Sequence, residues 1–377
     1  MSTGWGWRVL ILKRAKLTDK SVKDIVIKDG MIHEVGRNLE HHDSHEIDLH
    51  GEVYVSRGWI DLHTHAFSKF PPYCAHGDEI GYQTGVTTVV DAGSSGYDDI
   101  DEFYEETKLR KTRILAFLNV SKTGLGRVDE LSDLNNLSFP GLKKACEKYP
   151  HFIVGLKARI SSSVVRNNGI QPLKIAKRYA DELNLPLMVH IGNGPPLLGD
   201  ILEELTAGDI VTHCFHGKHN HLFQNGPLPG LYSPIKQCRE ALSRGVLFDI
   251  GHGTDSFSFA VARKAKAEGV PFHTISTDLY NRNKEKGPVY DMATTLTKFL
   301  YLGYDLETVI GAVTKAPANL LDKRQSGQLE KGMVADLTLF TVDCGEYVLT
   351  DSLGESVTYH QKILPKGVVL GGEYIEL

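Results

Sequence analysis

Cysteine is scarce in this chain of 377 residues. The five (Cys74, Cys146, Cys214, Cys238 and Cys344) are odd in number, scattered, and never in a C-x-x-C pair. That excludes a disulfide framework and a cysteine-built zinc knuckle, and it fits a reducing compartment. Long apolar runs are missing too. Near the start only Val9 to Leu12 is apolar before Lys13 and Arg14, too short a run for a signal peptide or a membrane span. The cytoplasm is the expected location, with no membrane partner. Positive charge is not in excess: 42 Lys and Arg against 47 Asp and Glu leave a formal net charge of -5. With no basic stripe, nucleic acid is not an expected partner either. Repeats, low-complexity tracts and flexible linkers do not stand out.

What is present is an ordinary folded composition, 41% hydrophobic and 24% charged, on a chain longer than one ordinary core requires. One large domain with a smaller companion is expected. Residues 7–55 read as short strands, with a hairpin signal where Val22–Ile27 and Met31–Val35 flank Asp29-Gly30. His33, His41, His42, His45 and His50 lie there without regular ligand spacing and read as solvated surface in polar connections.

From residue 57 to about 320 strand alternates with helix. Eight strands are predicted: Trp59–His65, Val86–Asp91, Ile114–Val120, Phe152–Arg159, Leu187–Ile191, Ile210–Cys214, Val246–Ile250 and Phe272–Asp278. Amphipathic helices are predicted at Ile100–Leu109, Pro172–Asn184, Pro234–Arg244 and Ser256–Glu268, two of them with proline in the first turn. Continuous apolar runs such as FIVGLK suit parallel strands covered on both faces. Eight such units predict a (β/α)8 TIM barrel, with catalytic side chains at the C-terminal strand ends. Strands return at Ala335–Val342, Tyr347–Thr350 and Gly367–Ile375. The two chain ends are expected to form one small β-sandwich-like domain. The division is 1–56 for its N-terminal part, 57–324 for the hydrolase barrel and 325–377 for its C-terminal part.

Six residues of metal-ligand type fall at the ends of those strands: His63, His65, Lys157, His190, His213 and Asp278. Strand residues i and i+2 face the same side, so His63 and His65 can reach one metal. Lys157 closes an apolar run, where an unpaired ammonium is costly. It either pairs with a carboxylate or, made neutral by burial, takes up carbon dioxide to become N6-carboxylysine, an anionic carbamate ligand. His190 and His213 each cap an apolar strand, and the pair favours a second metal site over core packing. Asp278 either binds metal and shares a proton with a bridging hydroxide, or caps the following helix. Together the six read as a two-metal hydrolytic centre at the barrel mouth.

With VSRGWIDLHTH, GVTTVVDAG, VGLKAR, PLMVHIG, VTHCFHGK, FDIGHGTDSF, STDLYNRN and KGMVADLTLF, the chain resembles the amidohydrolase superfamily. The likeness is to the branch with a carboxylated lysine bridging two metals, usually zinc. More narrowly it resembles the bacterial deacetylase-like group, whose members were often labelled dihydroorotase or adenine deaminase. The resemblance runs over nearly the whole chain and places the six ligands on the residues just named. It implies two divalent ions, with zinc the first expectation, and carbon dioxide held as the lysine carbamate. Mixed imidazole and oxygen donors also suit manganese, iron or nickel.

The implied chemistry is hydrolysis of a C–N or ester C–O bond at a carbonyl carbon. A metal-bridging hydroxide attacks, and Asp278 moves the proton to the leaving group. Lys69, Arg159, Asn193, His252, Tyr280 and Arg282 are the candidate substrate contacts. Three are cationic, which suggests a substrate carboxylate, unless Arg159 and Arg282 pair with protein acids. His252 orients substrate or makes a structural hydrogen bond. The segment Phe67–Tyr73 is a candidate lid. The leading expectation is a deacetylase acting on a small N-acylated or O-acylated carboxylate. Behind it stand a cyclic-amide hydrolase of the dihydroorotase type, an adenine deaminase-like aminohydrolase and, last, a non-catalytic scaffold. Typical dihydroorotases carry an arginine two positions after H-x-H, where this chain has Phe67. A homo-oligomer is compatible with the sequence, but no interface signature marks one.

Overall fold

The computed structural model describes residues 9–225, 232–321 and 329–377. Seven parallel strands run side by side in chain order: Trp59–Thr64, Val86–Ala92, Arg113–Asn119, Ile153–Ile160, Leu187–Ile191, Ile210–Thr212 and Leu247–Phe248. Side chains alternate across them as the period of two demands. Leu62, Val90, Phe117, Met188 and Ile210 meet inside. Val89, Leu118, Leu156, Val189 and Val211 face the surrounding helices.

The expected eighth strand, Phe272–Asp278, does not form a continuous ladder. Single bridges join Thr274 to Asp249 and Leu279 to Thr64. Backbone bonds from Ile250 N to Thr274 O (3.1 Å), His252 N to Ser276 O (3.0 Å) and His65 N to Leu279 O (3.0 Å) close the barrel there. The sequence TISTD is rich in hydroxyls, and its side chains carry much of the pairing that backbone carries elsewhere.

The helix Gln171–Leu183 has proline in its first turn and ends at Asn184 with φ 53°. It buries Leu173, Ala176 and Ala180 along one stripe. Two helix starts differ from expectation. Pro234 belongs to a short strand, Tyr232–Pro234, and its helix begins at Lys236. The next runs Phe259–Ala267, with the Ser258 hydroxyl accepting from Val261 N, because a serine cap stops the helix from extending back to Ser256. Among the described residues no helix is long and apolar enough to cross a membrane.

Both chain ends enter one eight-stranded sheet, in the order Glu373–Glu376, Ser356–Leu370, Leu337–Thr350, Tyr54–Arg57, Val9–Lys16, Val22–Lys28, Met31–Gly36, with Ser44–Asp48 also on Val9–Lys16. His45 is thus in a strand rather than a connection. A parallel ladder with Val9–Lys13 outweighs the polar composition there. Asp29-Gly30 (φ 52° and 75°) and Gly371-Gly372 (φ 56° and 92°) make its tight turns, the mirror-image type that suits strand twist. Ala335–Val342 and Tyr347–Thr350, expected as separate strands, merge into Leu337–Thr350 through an irregularity between Cys344 and Tyr347. The sheet has its own apolar core around Leu12, Ile25, Val55, Leu337 and Leu339. The expected division at 324/325 lies outside the described residues.

Phe340 joins sheet to barrel. It is fully buried, stacked on Tyr54 at 5.4 Å and tilted on Trp59, the first residue of the barrel, at 5.4 Å. Phe340→Ala should lower stability by roughly 3–5 kcal/mol, read as a drop in denaturant midpoint.

Candidate metal centre

The six predicted donors converge at the C-terminal mouth of the barrel. His63 Nε2 lies 3.4 Å and His65 Nε2 3.0 Å from Asp278 Oδ1. Lys157 Nζ is 3.3 Å from His63 Nε2 and 3.3 Å from Met188 Sδ. The His213 ring is 4.9 Å from that of His63 and 4.5 Å from that of His190. Donor atoms of His63, His213 and Asp278 all lie within 4.8 Å of one another.

Local backbone aims these side chains. His213 and Asp278 both have left-handed φ, 69° and 54°, which ends strand alternation and turns each side chain into the mouth. Gly93 has φ 81°, and a side chain there would meet Lys157 Cγ at 2.6 Å. Its absence makes room for the lysine stem.

Burial sets the protonation states. It pushes the Lys157 amine down to about 7 and His213 down to about 3, and holds His63 and His190 well below the ordinary 6.5. Neutral imidazoles are the form that binds a metal. For Asp278 burial acts upward, but the hydrogen bond to His65 and the nearby His65, His213 and Lys157 outweigh it and lower the carboxyl. Lys157 has no carboxylate within ion-pair distance among the described residues, so the salt-bridge alternative does not hold. Nor is the Asp278 carboxylate a helix cap: it is its backbone carbonyl that accepts from Asn283 Nδ2, at 2.8 Å.

A second layer fixes the rings. Thr212 donates its proton to Asp249 Oδ2 (2.7 Å), so its oxygen accepts from His63 Nδ1 (2.8 Å). That leaves His63 Nε2 with its lone pair facing the mouth. His213 Nδ1 donates to the Gly251 carbonyl, with the same result. His65 Nδ1 meets Ser94 Oγ at 2.8 Å, and Ser94 N donates to Asp91 Oδ1 at 2.8 Å. Neutral His63, His190 and His213, an ionised carboxylate and an amine drawn toward its neutral form, with Nδ1 of His63 and His213 engaged, fit divalent metal.

A cavity of 370 Å³ opens above the donors. Of the six candidate substrate contacts, Arg159, Asn193 and Tyr280 line it. Arg159 is engaged by Glu130 in a two-pronged pair (2.7 and 2.6 Å). Tyr280 bonds Thr254 at 2.7 Å. Lys69, His252 and Arg282 are corrections, since none lines the cavity. The Lys69 ammonium pairs with Asp99 and Glu102 at the surface, Arg282 is exposed, and His252 is fully buried behind the wall. The proposed lid is partly core: Phe67 is buried and stacks on Phe103 at 4.7 Å, while Tyr73 reaches the cavity.

Sequence reasoning missed Lys218, Arg166, Thr254 and Asp255 in the lining, and Asp249 beneath it. Asp249 carried a signal, since an aspartate inside the apolar run Leu247–Ile250 needs donors.

Residues 329–375 match the family described as the deacetylase-like composite domain. A deacetylase of Enterococcus faecalis is 44% identical over 366 residues, 97% of this chain and 98% of that protein. The chain belongs to the deacetylase family of the amidohydrolase superfamily. A second family member, from Agrobacterium fabrum, is 36% identical over 366 residues, 96% of this chain and 88% of that one. A crystal structure of an adenine deaminase superposes with TM-score 0.94 at 42% identity, covering 98% of this chain and 99% of that one. A dihydroorotase crystal structure gives 0.89 at 34% identity, with 98% of each chain covered. With these amidohydrolase neighbours and its own donor cluster, this family member is a metal-dependent hydrolase with a divalent metal centre.

Thr212→Val would break the His63–Thr212–Asp249 chain without touching a metal donor. Metal affinity should fall by roughly 10–100-fold, measured by titration against a coloured chelator.

Proposed function

We propose that this chain is a deacetylase that removes an N-acyl or O-acyl group from a small substrate bearing a carboxylate. Its metal ligands are His63, His65, Lys157, His190, His213 and Asp278. Two divalent ions held by these residues, zinc in our reading, would polarise the scissile carbonyl and lower the pKa of the attacking water. The observation that carries the reading is the convergence of all six donors beneath a cavity that contains an unpaired cation.

That cation is Lys218. It lines the cavity, and among the described residues its ammonium reaches only Ser256 Oγ, at 3.5 Å. No carboxylate lies within ion-pair distance of it among the described residues. Burial lowers its pKa, which the charges of Asp255 and Asp278 partly offset. A half-buried ammonium without a partner is a place for a substrate anion. It takes the role that the sequence suggested for Lys69 and Arg282.

Asp278 is the proton carrier. Its lowered pKa keeps it ionised and ready to accept a proton from water, and the same group then hands that proton to the leaving nitrogen or oxygen. Lys157 reacts as the neutral amine: its nitrogen bonds the carbon of carbon dioxide, a proton leaves to solvent, and an anionic carbamate remains. Cyclic-amide hydrolysis is the second reading, favoured by the likeness to a dihydroorotase structure. Against it stands Phe67, whose ring is buried against Phe103 and offers substrate no charge.

The test is acetate release by metal-loaded, bicarbonate-treated protein. The panel holds N-acetyl amino acids and O-acetyl hydroxy acids of both hands, with dihydroorotate opening and adenine deamination in parallel. Acetate release that is abolished in Asp278→Asn with metal still bound is the expected result. In Lys218→Met, KM should rise by about 10–100-fold, as for loss of a charge-assisted hydrogen bond. Ring opening or ammonia release without acetate would reassign the function.

Carbamate formation has its own pH signature. With Lys157 at about 7 in the metal-free protein, the amine is protonated below that pH and neutral above it. At constant dissolved carbon dioxide, the ¹³C carbamate signal should grow from pH 6 to pH 8 and vanish in Lys157→Met. A signal that is flat across that range contradicts the assignment.

A further inference from the structure

The mechanism leaves Lys298 unused. Lys298, on the helix Met292–Tyr301, is fully buried. Its amine lies 2.8 Å from the Pro288 carbonyl and 2.8 Å from His252 Nε2. A carbonyl only accepts, so His252 Nδ1, 2.9 Å from the Gly253 carbonyl, carries the ring proton. His252 Nε2 then accepts from the Lys298 amine.

The same carbonyl receives a second donor from a distant part of the chain. The hairpin Leu337–Thr350/Ser356–Leu370 rises out of the small sheet, and its tip lies on the barrel rim. Ser352 Oγ donates to Gly253 O at 3.0 Å, and Ser352 N donates to Phe257 O at 3.0 Å. Asp351, 2% exposed, accepts from Phe259 N at 2.9 Å and from Leu353 N and Glu355 N within its own turn.

Gly253 is where this arrangement meets the chemistry. Its φ is 59°, and a side chain there would lie 2.6 Å from Asp278 Oδ2. Its N–H donates to Thr277 O, the residue before Asp278, at 2.9 Å. Two donors hold the Gly253 carbonyl, and the Asp278 carboxylate stands where a Gly253 side chain would be.

We propose that Ser352 and Lys298 are positioning residues for catalysis: from the hairpin tip and from behind the barrel wall they fix the Gly253 peptide, which sets where the Asp278 carboxylate stands. This rests on Asp278 being the proton carrier. The C-terminal hairpin is then part of the active-site wall rather than an appendage of the small sheet.

Ser352→Ala removes one donor at a half-buried surface position. With the full-length, metal-loaded protein, kcat should fall about tenfold with KM unchanged, as for a small displacement of a reacting group. Metal content should stay the same, and Ser352→Thr should restore kcat. Hydrogen exchange of residues 251–254 should quicken in Ser352→Ala and return in Ser352→Thr, a readout that needs no turnover. Ser356→Ala, which removes a hydroxyl pair with Thr350 higher on the same hairpin, should change neither quantity. Lys298→Met should reproduce the kcat loss, and the double variant should lose less than the two single losses combined. Unchanged kcat in Ser352→Ala, or a loss that Ser352→Thr does not restore, would overturn the proposal. An Asp278→Asn variant that keeps most of its activity would instead overturn the reading on which it rests.

Discussion

Two buried carboxylates hold the barrel shut where its ladder fails. Asp249 accepts hydrogen bonds from Thr274 Oγ1 (2.6 Å), Ser276 Oγ (2.6 Å) and Thr212 Oγ1 (2.7 Å). From the other side Asp61 accepts from the backbone N–H of Thr277 at 3.0 Å and from its hydroxyl. The segment before Asp278 is thus gripped on both flanks, by Asp61 on the first strand of the sheet and by Asp249 just past the last. Burial pushes Asp61 up to about 7 and raises Asp249, against the pull of these donors. Each carboxylate is tolerable in the interior only because hydroxyls or amides face it, and losing one such partner costs roughly 1–3 kcal/mol. The position of Asp278, the tautomer of His63 and closure of the barrel therefore rest on one connected set of hydrogen bonds.

That set also fixes how the donors face the mouth. Burial keeps His63 and His213 neutral, and their inward nitrogens are fixed because the outward ones are engaged. Donors held by such bonds have little freedom left to lose on binding a metal. The structural cost is a strained backbone at His213 and Asp278, the two donors with left-handed φ.

Much of this was legible in the sequence, and the part that was not has a physical cause. The six donors could be read because each ends an apolar strand, where a polar side chain is conspicuous. Seven of the eight strands could be read from their apolar runs. The eighth region was harder, because TISTD pairs through side chains and carries no strand period. Substrate contacts were read least well. Lys69 and Lys218 look alike in the sequence, each following a ligand histidine by a few residues. Only the fold shows that Lys69 pairs with two surface acids, while Lys218 faces the cavity with no carboxylate in ion-pair distance among the described residues. His252 was assigned to the rim for its flanking glycines, but Gly251 makes room for Thr212 and His213 and Gly253 for Asp278, while the ring turns inward to Lys298.

The hairpin tip has a consequence for how the molecule comes into being. Barrel residues up to Leu321 are synthesised well before Ser352, and domains generally fold as units while the chain emerges. The strand Tyr54–Arg57 likewise waits for Leu337–Phe340 to pair with it. The nascent barrel would carry all six donors yet lack the support of its rim until the hairpin that bears Ser352 has emerged. Competence would then arrive late, when that hairpin reaches the barrel.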